Sequence, residues 1–391
     1  MEYKLEDIFD LQMGKTPSRS NPEYWNSNDH KWISIGDLSR CGKYIEDTKE
    51  YLSDKAVEES GISIIPAGTV VMSFKLSIGK TAIIPEPMYS NEAIMSFRDK
   101  HVIDILPDYT YYMLSSRDWD TGTNKAVMGK TLNKATLSKI KVKVHGIAEQ
   151  KEIVRVLDKL NAVIEARQME IQKLEDLIKA RFVEMFGDLA DPACKWEKCR
   201  LVDACSNSDD IKCGPFGTQL GKDEYTEEGV SVWEIPQINS EFKTLPTHFV
   251  TEEKAAALNA YSIIPGDIAM SRKGNVGRCA VFPATFENGI IHSDVLRIRL
   301  DKAKVLPEFM MRQLHYSGDI QHQIELVSSG AIMAGINVTK LKQIYVYLPP
   351  IDLQGKFVEF IAQVDKSKAV IQKSLEEAQL LFDSLMQQYF G

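Results

Sequence analysis

A repeat with a period of about 200 residues divides this 391-residue chain into two similar halves. The segment Ser63–Ser73, Ser-Ile-Ile-Pro-Ala-Gly-Thr-Val-Val-Met-Ser, returns at Ser262–Ser271 as Ser-Ile-Ile-Pro-Gly-Asp-Ile-Ala-Met-Ser. Later in each half the offset is 204 residues, and it holds until Phe186-Gly187 matches Phe390-Gly391. A period this long indicates duplication of a whole domain with its tail, because solenoid repeats are much shorter. Residues 1–187 and 188–391 are therefore predicted to be two versions of one unit.

Each half ends in a segment with an apolar stripe of period 3.5, which predicts a coiled-coil helix. The stripes skip one position each, at Arg167 and at Lys368. Their apolar positions are Leu157, Leu160, Ile164, Ile171, Leu174 and Ile178 in the first half, and Ile361, Val364, Ile371, Leu375, Phe382 and Leu385 in the second. Because the two stripes match in register, we expect the helices to pair with each other, antiparallel, as a spacer of roughly 60 Å. The alternative is two surface helices, each packed on its own domain.

The region before each long helix contains short apolar stretches separated by Pro and Gly turn signals, which indicate strands. Short helical patches lie between them, so the predicted class is α+β. We predict two globular recognition domains and two long helices, related by a pseudo-two-fold internal repeat. The predicted boundaries are 1–146 for the first domain, 147–187 for the first spacer helix, 188–347 for the second domain and 348–391 for the second spacer helix.

The net charge of −8 argues against nucleic-acid binding, which needs a positive surface, but the distribution of charge matters more than the sum. Four stretches, 60–85, 121–148, 269–286 and 326–351, contain Lys or Arg and no acidic residue. They fall at matched places in the two halves. We interpret these stretches as loops that face DNA.

Motifs that would indicate an active site are weak. Asn21–Tyr24 reads Asn-Pro-Glu-Tyr, where an amino-methyltransferase has Asn-Pro-Pro-Tyr, and no Gly-rich cofactor loop precedes it. Gly14-Lys-Thr16 and Gly79-Lys-Thr81 lack the upstream Gly of a phosphate-binding loop. Cys194, Cys199, Cys205 and Cys213 lack the paired Cys-x-x-Cys spacing of a structural zinc site, which favours free thiols. We predict no catalytic residues, no metal and no cofactor.

The chain has no apolar run of 18 residues and begins without a secretory signal pattern, so we expect a cytoplasmic protein that does not cross a membrane. Six cysteines in a chain of this length do not form a disulfide scaffold, which also favours a reducing compartment.

The order of these segments resembles the specificity subunits of type I restriction–modification systems. In that family a strand and an apolar turn followed by Gln lead into each long helix, as in Ile140–Ile153 and Ile344–Gln354. The segments Asn21–Trp25, Gly36–Leu38, Gly214–Gly217 and Ile235–Asn239 are also similar to family sequences. One departure is His145-Gly146, where the second half has Pro349-Pro350.

The resemblance implies a protein without an active site of its own. It implies two recognition domains that each read half of a bipartite double-stranded DNA target, separated by the helices. It further implies that two modification (methyltransferase) subunits and restriction (translocase–nuclease) subunits dock on this chain.

Base edges are read mainly by Arg, Lys, Asn and Gln, and phosphates are held mainly by basic and hydroxyl side chains. The candidate DNA-binding residues therefore lie in the acid-free stretches. They are Lys75, Lys80, Lys130, Thr131 and Asn133 in the first half, and Arg272, Lys273, Asn275, Arg278, Asn337, Thr339 and Lys340 in the second. Two other functions stay open from the sequence: a stand-alone DNA methyltransferase or nuclease, and a scaffold that binds only protein.

Overall fold

A computed structural model describes the chain except for residues 76, 118, 120–123, 127–128, 192 and 329–334, and the side chains of 124–126 and 129–131. It contains two compact units. The first is Met1–Met169 with Gln372–Gly391, and the second is Glu170–Ile371. Within the described part of the chain, no helix is both long enough and apolar enough to cross a lipid bilayer.

The first half of the chain alternates short strands with short helices and ends in one long helix. Its elements are β1 (Glu2–Lys4), α1 (Leu5–Ile8), β2 (Phe9–Met13), a 3-10 turn (Pro22–Tyr24), β3 (His30–Ile33), α2 (Ile35–Leu38), β4 (Glu50–Leu52), α3 (Asp54–Ser60), β5 (Val70–Ser73), β6 (Thr81–Ile83), β7 (Tyr89–Ser90), β8 (Ile94–Asp99), α4 (Pro107–Ser115), β9 (Asn124–Ala126), β10 (Gly129–Thr131), α5 (Lys134–Ser138), β11 (Lys141–Lys143) and α6 (Ile147–Phe186). An antiparallel sheet has the order β2-β8-β5-β6, and a smaller sheet, β4-β3-β7, has a parallel β3–β7 pair.

The second half repeats this series. Its strands and helices are β12 (Glu197–Arg200), β13 (Ile211–Cys213), β14 (Val230–Trp233), α7 (Ile235–Asn239), β15 (His248–Val250), α8 (Glu252–Ala257), β16 (Ser262–Ile263), β17 (Ile268–Ser271), β18 (Cys279–Val281), β19 (Gly289–Ile291), β20 (Val295–Ile298), α9 (Pro307–Tyr316), α10 (Gly318–Ser328), α11 (Val338–Lys342), β21 (Tyr345–Leu348) and α12 (Ile351–Phe390). In the described part of this half, five 3-10 turns lie between them, at Leu201–Ala204, Ser208–Asp210, Gly217–Gln219, Lys222–Glu224 and Asn259–Tyr261.

The sheets of the two halves have equivalent strand orders. The order β13-β20-β17-β18 corresponds to β2-β8-β5-β6, and β15-β14-β19-β16 corresponds to β4-β3-β7 with one added strand. In each half the strand that leads to the long helix pairs with the first strand, as β1–β11 and β12–β21. The α+β class and the repeat predicted from the sequence are confirmed in this sense: two copies of one topology.

A buried glutamine in the first turn of each long helix fixes the helix to the globular domain that precedes it. The amide oxygen of Gln150 accepts from the backbone N–H of Leu106 at 3.0 Å, and its Nε2 donates to two backbone carbonyls. Gln354, 204 residues later, accepts from Leu306 N–H at 2.9 Å and likewise donates to two carbonyls. Both side chains are fully buried, so each amide satisfies three backbone groups that water cannot reach.

The two long helices are each 40 residues long. All twelve residues predicted for the apolar stripes are buried or half-buried, whereas flanking positions such as Lys179 and Lys366 are exposed. Both helices contribute to the core of each unit. In the first unit, Leu157 of α6 and Met386 of α12 lie in one apolar cluster. In the second unit, Phe182 of α6 contacts Phe357 of α12, with ring centroids 5.5 Å apart.

A charged group joins three helices within the second unit. Glu175 of α6 forms ion pairs with Lys368 of α12 and with Arg312 of α9, the latter at 3.5 Å. Burial raises the pKa of Glu175, but the hydrogen bond from Lys368 and the two cationic charges outweigh that effect and lower it. The carboxylate therefore stays ionised at neutral pH and holds α9 against both long helices.

We predict that Gln354→Ala destabilises the second unit by about 2–4 kcal/mol, because it leaves one buried N–H and two buried carbonyls without partners. Urea denaturation gives the loss of stability, and hydrogen-exchange mass spectrometry gives the local effect at Leu306. Gln363→Ala, on the exposed face of the same helix, is the control and should change neither. Unchanged exchange at Leu306 in the Gln354 variant would contradict this role.

Candidate nucleic-acid interface

The acid-free stretches of each half come together in space. In the second unit the backbone N–H of Ile336 donates to the carbonyl of Arg272 at 3.2 Å, and Lys273 forms a β-bridge with Gly335. In the first unit Leu132 donates to Phe74 in the same way, at 3.1 Å.

Two further loops join each group. We call residues 14–19, 74–75, 77–80, 90–93 and 132–133 the first loop cluster. The second loop cluster is 214–219, 272–278, 292–294 and 335–340. Gly14 donates its N–H to Ile94 and Gly214 donates to Val295, at 3.2 and 3.1 Å. A Cβ at either glycine would overlap a backbone carbonyl, of Ser90 or of His292, so only glycine permits this approach.

Arg272 ties the second loop cluster together. Its Nε donates to the carbonyl of Ile336 at 3.2 Å, and its Nη1 donates to the carbonyl of Ser293 at 3.3 Å. The guanidinium carbon lies 4.8 Å from the ring centroid of Phe216, and Nη1 also approaches the Cys213 thiol. Burial raises the pKa of Cys213, although the Arg272 charge opposes the shift. The equivalent residue of the first half is Phe74, which is buried, so this position supports the loops in both halves.

The neighbours of Arg272 form exposed ion pairs. Lys273 Nζ lies 2.8 Å from Asp294 Oδ1, and Arg278 Nη2 lies 3.1 Å from Glu241 Oε1. Asn275 is exposed, and its backbone carbonyl accepts from the N–H of Arg278. Exposed pairs of this kind contribute little to stability and leave further donors free for a ligand.

Two predicted contact residues have a structural role. Asn133 and Asn337 are the N-caps of α5 and α11, and each side-chain oxygen accepts from a backbone N–H three residues later at 2.8 Å. Their presence at the same place in both halves therefore has a local explanation. Of the adjacent pair, Thr339 is exposed, and Lys340 Nζ donates to the carbonyl of Val327 at 2.8 Å.

The remaining candidates belong to the first half. Lys75 is half-buried, with Nζ 5.3 Å from the ring centroid of Phe74. Lys80 Nζ donates to the Ser39 hydroxyl at 2.9 Å. Lys130 and Thr131 lie in β10, but their side chains are outside the described residues.

Sequence reasoning missed polar residues that follow Gly14 in the first loop cluster. Thr16 donates to the carboxylate of Glu92, and this hydrogen bond lowers the pKa of Glu92. Arg19 pairs with Glu50 and has its guanidinium carbon 3.8 Å from the ring centroid of Trp25. The sequence contains a signal for this loop, because Gly14-Lys-Thr16 lies within it and Asn21–Trp25, which is similar to family sequences, follows it.

The second half has a different missed group beside its loop cluster. Glu234 accepts from His248 Nδ1 at 2.7 Å and lies 4.0 Å from His292 Nε2. The backbone N–H of Asp294 donates to His292 Nδ1 at 3.2 Å, so a neutral His292 carries its proton on Nε2, towards Glu234. Such carboxylate–imidazole contacts carry no helical or strand periodicity, which is why the sequence did not indicate them.

Five of the six cysteines are dispersed through the second half, and Cys41 lies in the first. Cys205 and Cys213 are buried, and burial raises the pKa of Cys205 to about 12. Among the residues that the structure describes, no group of three His, Cys, Asp or Glu side chains has a geometry that could hold a metal ion.

Comparison of this sequence with models of known protein families identifies the family to which the chain belongs. The model for the type I restriction modification DNA specificity domain matches this chain twice, at residues 1–176 and 195–380. The chain belongs to this family. The two matches correspond to the two halves of the repeat, and each contains one loop cluster.

Curated relatives are specificity subunits. The MjaIX subunit of Methanocaldococcus jannaschii is 28% identical over 189 residues, which are 47% of this chain and 43% of that protein. The EcoR124I/EcoR124II subunit of Escherichia coli is 28% identical over 200 residues, 46% of this chain and 48% of the relative. The alignments with these two relatives thus span less than half of their length. The StySPI subunit of Salmonella potsdam is 24% identical over 305 residues, 72% of this chain and 64% of that subunit.

Solved structures share the fold over the whole chain. The crystal structure of a type I system S subunit from M. genitalium has a TM-score of 0.58 at 14% identity, covering 100% of this chain and 96% of that one. A second solved structure comes from a study of complex assembly and conformational transition of the type I R-M system. It also has a TM-score of 0.58, at 15% identity, and the match covers 100% of this chain and 97% of that one. At such identities the likeness supports the fold alone.

We predict that Arg272→Ala destabilises the second unit of this specificity-domain protein by about 2 kcal/mol, because two charge-assisted hydrogen bonds to loop carbonyls are lost. Urea denaturation measures the change. Arg278→Ala, which removes an exposed pair, is the matched control and should cost less than about 1 kcal/mol. Equal losses in the two variants would show that Arg272 does not join the loops.

Proposed function

We propose that this chain is the specificity subunit of a type I restriction–modification complex, which reads a bipartite double-stranded DNA target with two recognition domains. The observation that carries the proposal is the duplicated specificity domain, with one polar loop cluster in each copy. In this function the chain catalyses no reaction itself and works in the cytoplasm without a membrane.

The two loop clusters are the proposed DNA contacts. The contact residues are the predicted Lys75, Lys80, Lys130, Thr131 and Asn133 of the first half and Arg272, Lys273, Asn275, Arg278, Asn337, Thr339 and Lys340 of the second. Support comes from the exposed Lys273, Asn275 and Arg278, which project from loops braced by Arg272. Exposed side chains on a braced loop fit base reading, because direct readout depends on rigidly placed donors and acceptors.

The long helices are the proposed spacer, as an antiparallel coiled coil with pseudo-two-fold symmetry. In the first unit Leu157, near the start of α6, shares a cluster with Met386, near the end of α12. In the second unit the end of α6 meets the start of α12, through Phe182 and Phe357. Both groupings are those of an antiparallel pair, in which the unread gap of the target is set by helix length.

The partners in this proposal are two modification (methyltransferase) subunits and the restriction (translocase–nuclease) subunits. The matched helices and the repeated fold would offer each modification subunit a similar surface. Two equivalent surfaces on one chain suit two copies of one partner.

We predict that the purified chain selects duplex DNA with two short conserved blocks and a fixed gap from a random-sequence library. Its affinity should fall steeply with salt, with a log–log slope of about −0.9 per phosphate contacted, because counterions are released on binding. A gel-shift series across salt concentrations measures the slope. With S-adenosylmethionine alone the chain should transfer no methyl group.

The controls separate the alternatives. Binding that is absent or insensitive to salt would favour a protein-only scaffold, and methyl transfer by the lone chain would favour a stand-alone methyltransferase. A single continuous motif would contradict the two-domain reading of the target.

A further inference from the structure

Because the two halves share one topology, the residues of the two loop clusters can be matched one to one. The backbone N–H of Phe74 donates to the carbonyl of Ala93 at 3.0 Å, and the N–H of Arg272 donates to the carbonyl of Asp294 at 2.9 Å. Phe74 thus corresponds to Arg272, and Ala93 corresponds to Asp294. The next residue is a lysine in both halves, Lys75 and Lys273. The lysine is common to both halves, but the matching position carries a carboxylate, Asp294, in the second half and a methyl group, Ala93, in the first. The first half has its carboxylate one residue earlier, at Glu92, where it accepts a hydrogen bond from Thr16.

The scaffold does not need the Asp294 carboxylate. The strand pairs that carry these loops are β5–β8 and β17–β20. They have the same register, which ends at Ser73 opposite Ile94 and at Ser271 opposite Val295. Ala93 accepts the same backbone hydrogen bond without a polar side chain. The acidic side chain of Asp294 is therefore not required to form this loop, which leaves it available for another role.

The pair formed by Lys273 and Asp294 is accessible and braced. Their side chains are 46% and 28% exposed, and Nζ lies 2.8 Å from Oδ1. Below them, Arg272 Nη1 donates to the Ser293 carbonyl, and the Asp294 N–H donates to His292. The ammonium carries three donors and the carboxylate two oxygens, so each group retains capacity for a ligand while the pair is intact.

We propose that Lys273 and Asp294 together read one G·C base pair in the half-site of the second recognition domain. This inference rests on the proposed function and adds which base pair is read and by which atoms. In the major groove guanine presents the acceptors N7 and O6, and its cytosine presents the N4 amino donor beside them. A lysine donor next to an aspartate acceptor matches that pattern, and Arg or Lys on guanine and Asp or Glu on cytosine are favoured pairings.

The carboxylate is the discriminating group. It repels phosphate, so it weakens general DNA affinity, and it gains only where an amino donor faces it. In the first domain Ala93 stands at this place, and the neighbouring carboxylate of Glu92 accepts from Thr16 instead. The first domain should therefore read no cytosine at the matching position.

The test compares DNA selected from a random-sequence library by the wild-type full chain and by variants. Asp294→Ala and Lys273→Ala should each abolish the preference at one and the same G·C position of one block. We expect discrimination there to fall by roughly 5- to 150-fold. The other block and the gap should be unchanged. The double variant should lose no more than the larger single loss, because the two side chains act on one base pair.

Asp294→Asn keeps the size of the side chain and guards against a folding defect. Asparagine pairs with adenine, so this variant should shift the preference at that position from G·C to A·T. Glu253→Ala removes an exposed negative charge on α8 of the same unit and should leave the whole motif intact.

The outcomes separate the two levels of the proposal. A wild-type chain that selects no bipartite motif overturns the proposed function. A wild-type motif that is identical in the Asp294 variants, or a loss that spreads over a whole block, overturns the base assignment alone. An A·T pair at the position lost in both single variants also overturns it.

Discussion

The hydrophobic core of each recognition domain includes side chains from both long helices, and the rest of the architecture depends on this packing. In the second unit Phe182 and Phe186 of α6 pack against Phe309 of the domain and Phe357 of α12, mostly edge to face. In the first unit the ring of Phe390 lies 5.2 Å from that of Tyr109, by centroids. Large buried aromatic side chains dominate the energetics of such cores. Within each unit, the segments of both helices are therefore part of the domain core.

The same constraint explains why the helices enter their domains in the same way. Gln150 and Gln354 join the first helical turn to the backbone before α4 and α9, where an apolar side chain would leave three buried polar groups unpaired. The preceding turn tolerates His145-Gly146 in one half and Pro349-Pro350 in the other. In both halves it supplies two carbonyls, one to the side chain and one to the backbone N–H of the glutamine, and proline retains a carbonyl at each position.

Much of this fold could be predicted from the sequence, because apolar periodicity and self-similarity are direct consequences of burial. The residues of the two apolar stripes and the duplicated topology could be predicted for this reason. The residues of the candidate site were harder to predict, because a basic residue in a turn gives the same sequence signal whether it contacts a ligand or its own loops. Arg272 illustrates the problem: its side chain bonds to Ile336 and Ser293, and a buried Phe74 stands at the matching place. Aligning the two halves with burial in mind would have indicated that role.

In the proposed function, an acidic protein presents a DNA-reading surface. Base recognition needs acceptors as well as donors, since cytosine and adenine offer amino groups in the major groove. Carboxylates such as Asp294 and Glu92 lie within the loop clusters beside cations. Both residues lie outside the acid-free stretches, so the charge pattern of the sequence did not indicate them. Their local pairing with Lys273 and Thr16 limits the repulsion that a bare carboxylate would impose on phosphate. Net charge therefore says little about the ligand of this chain, and the divergence between the two clusters is the better guide to what each domain would read in the proposed function.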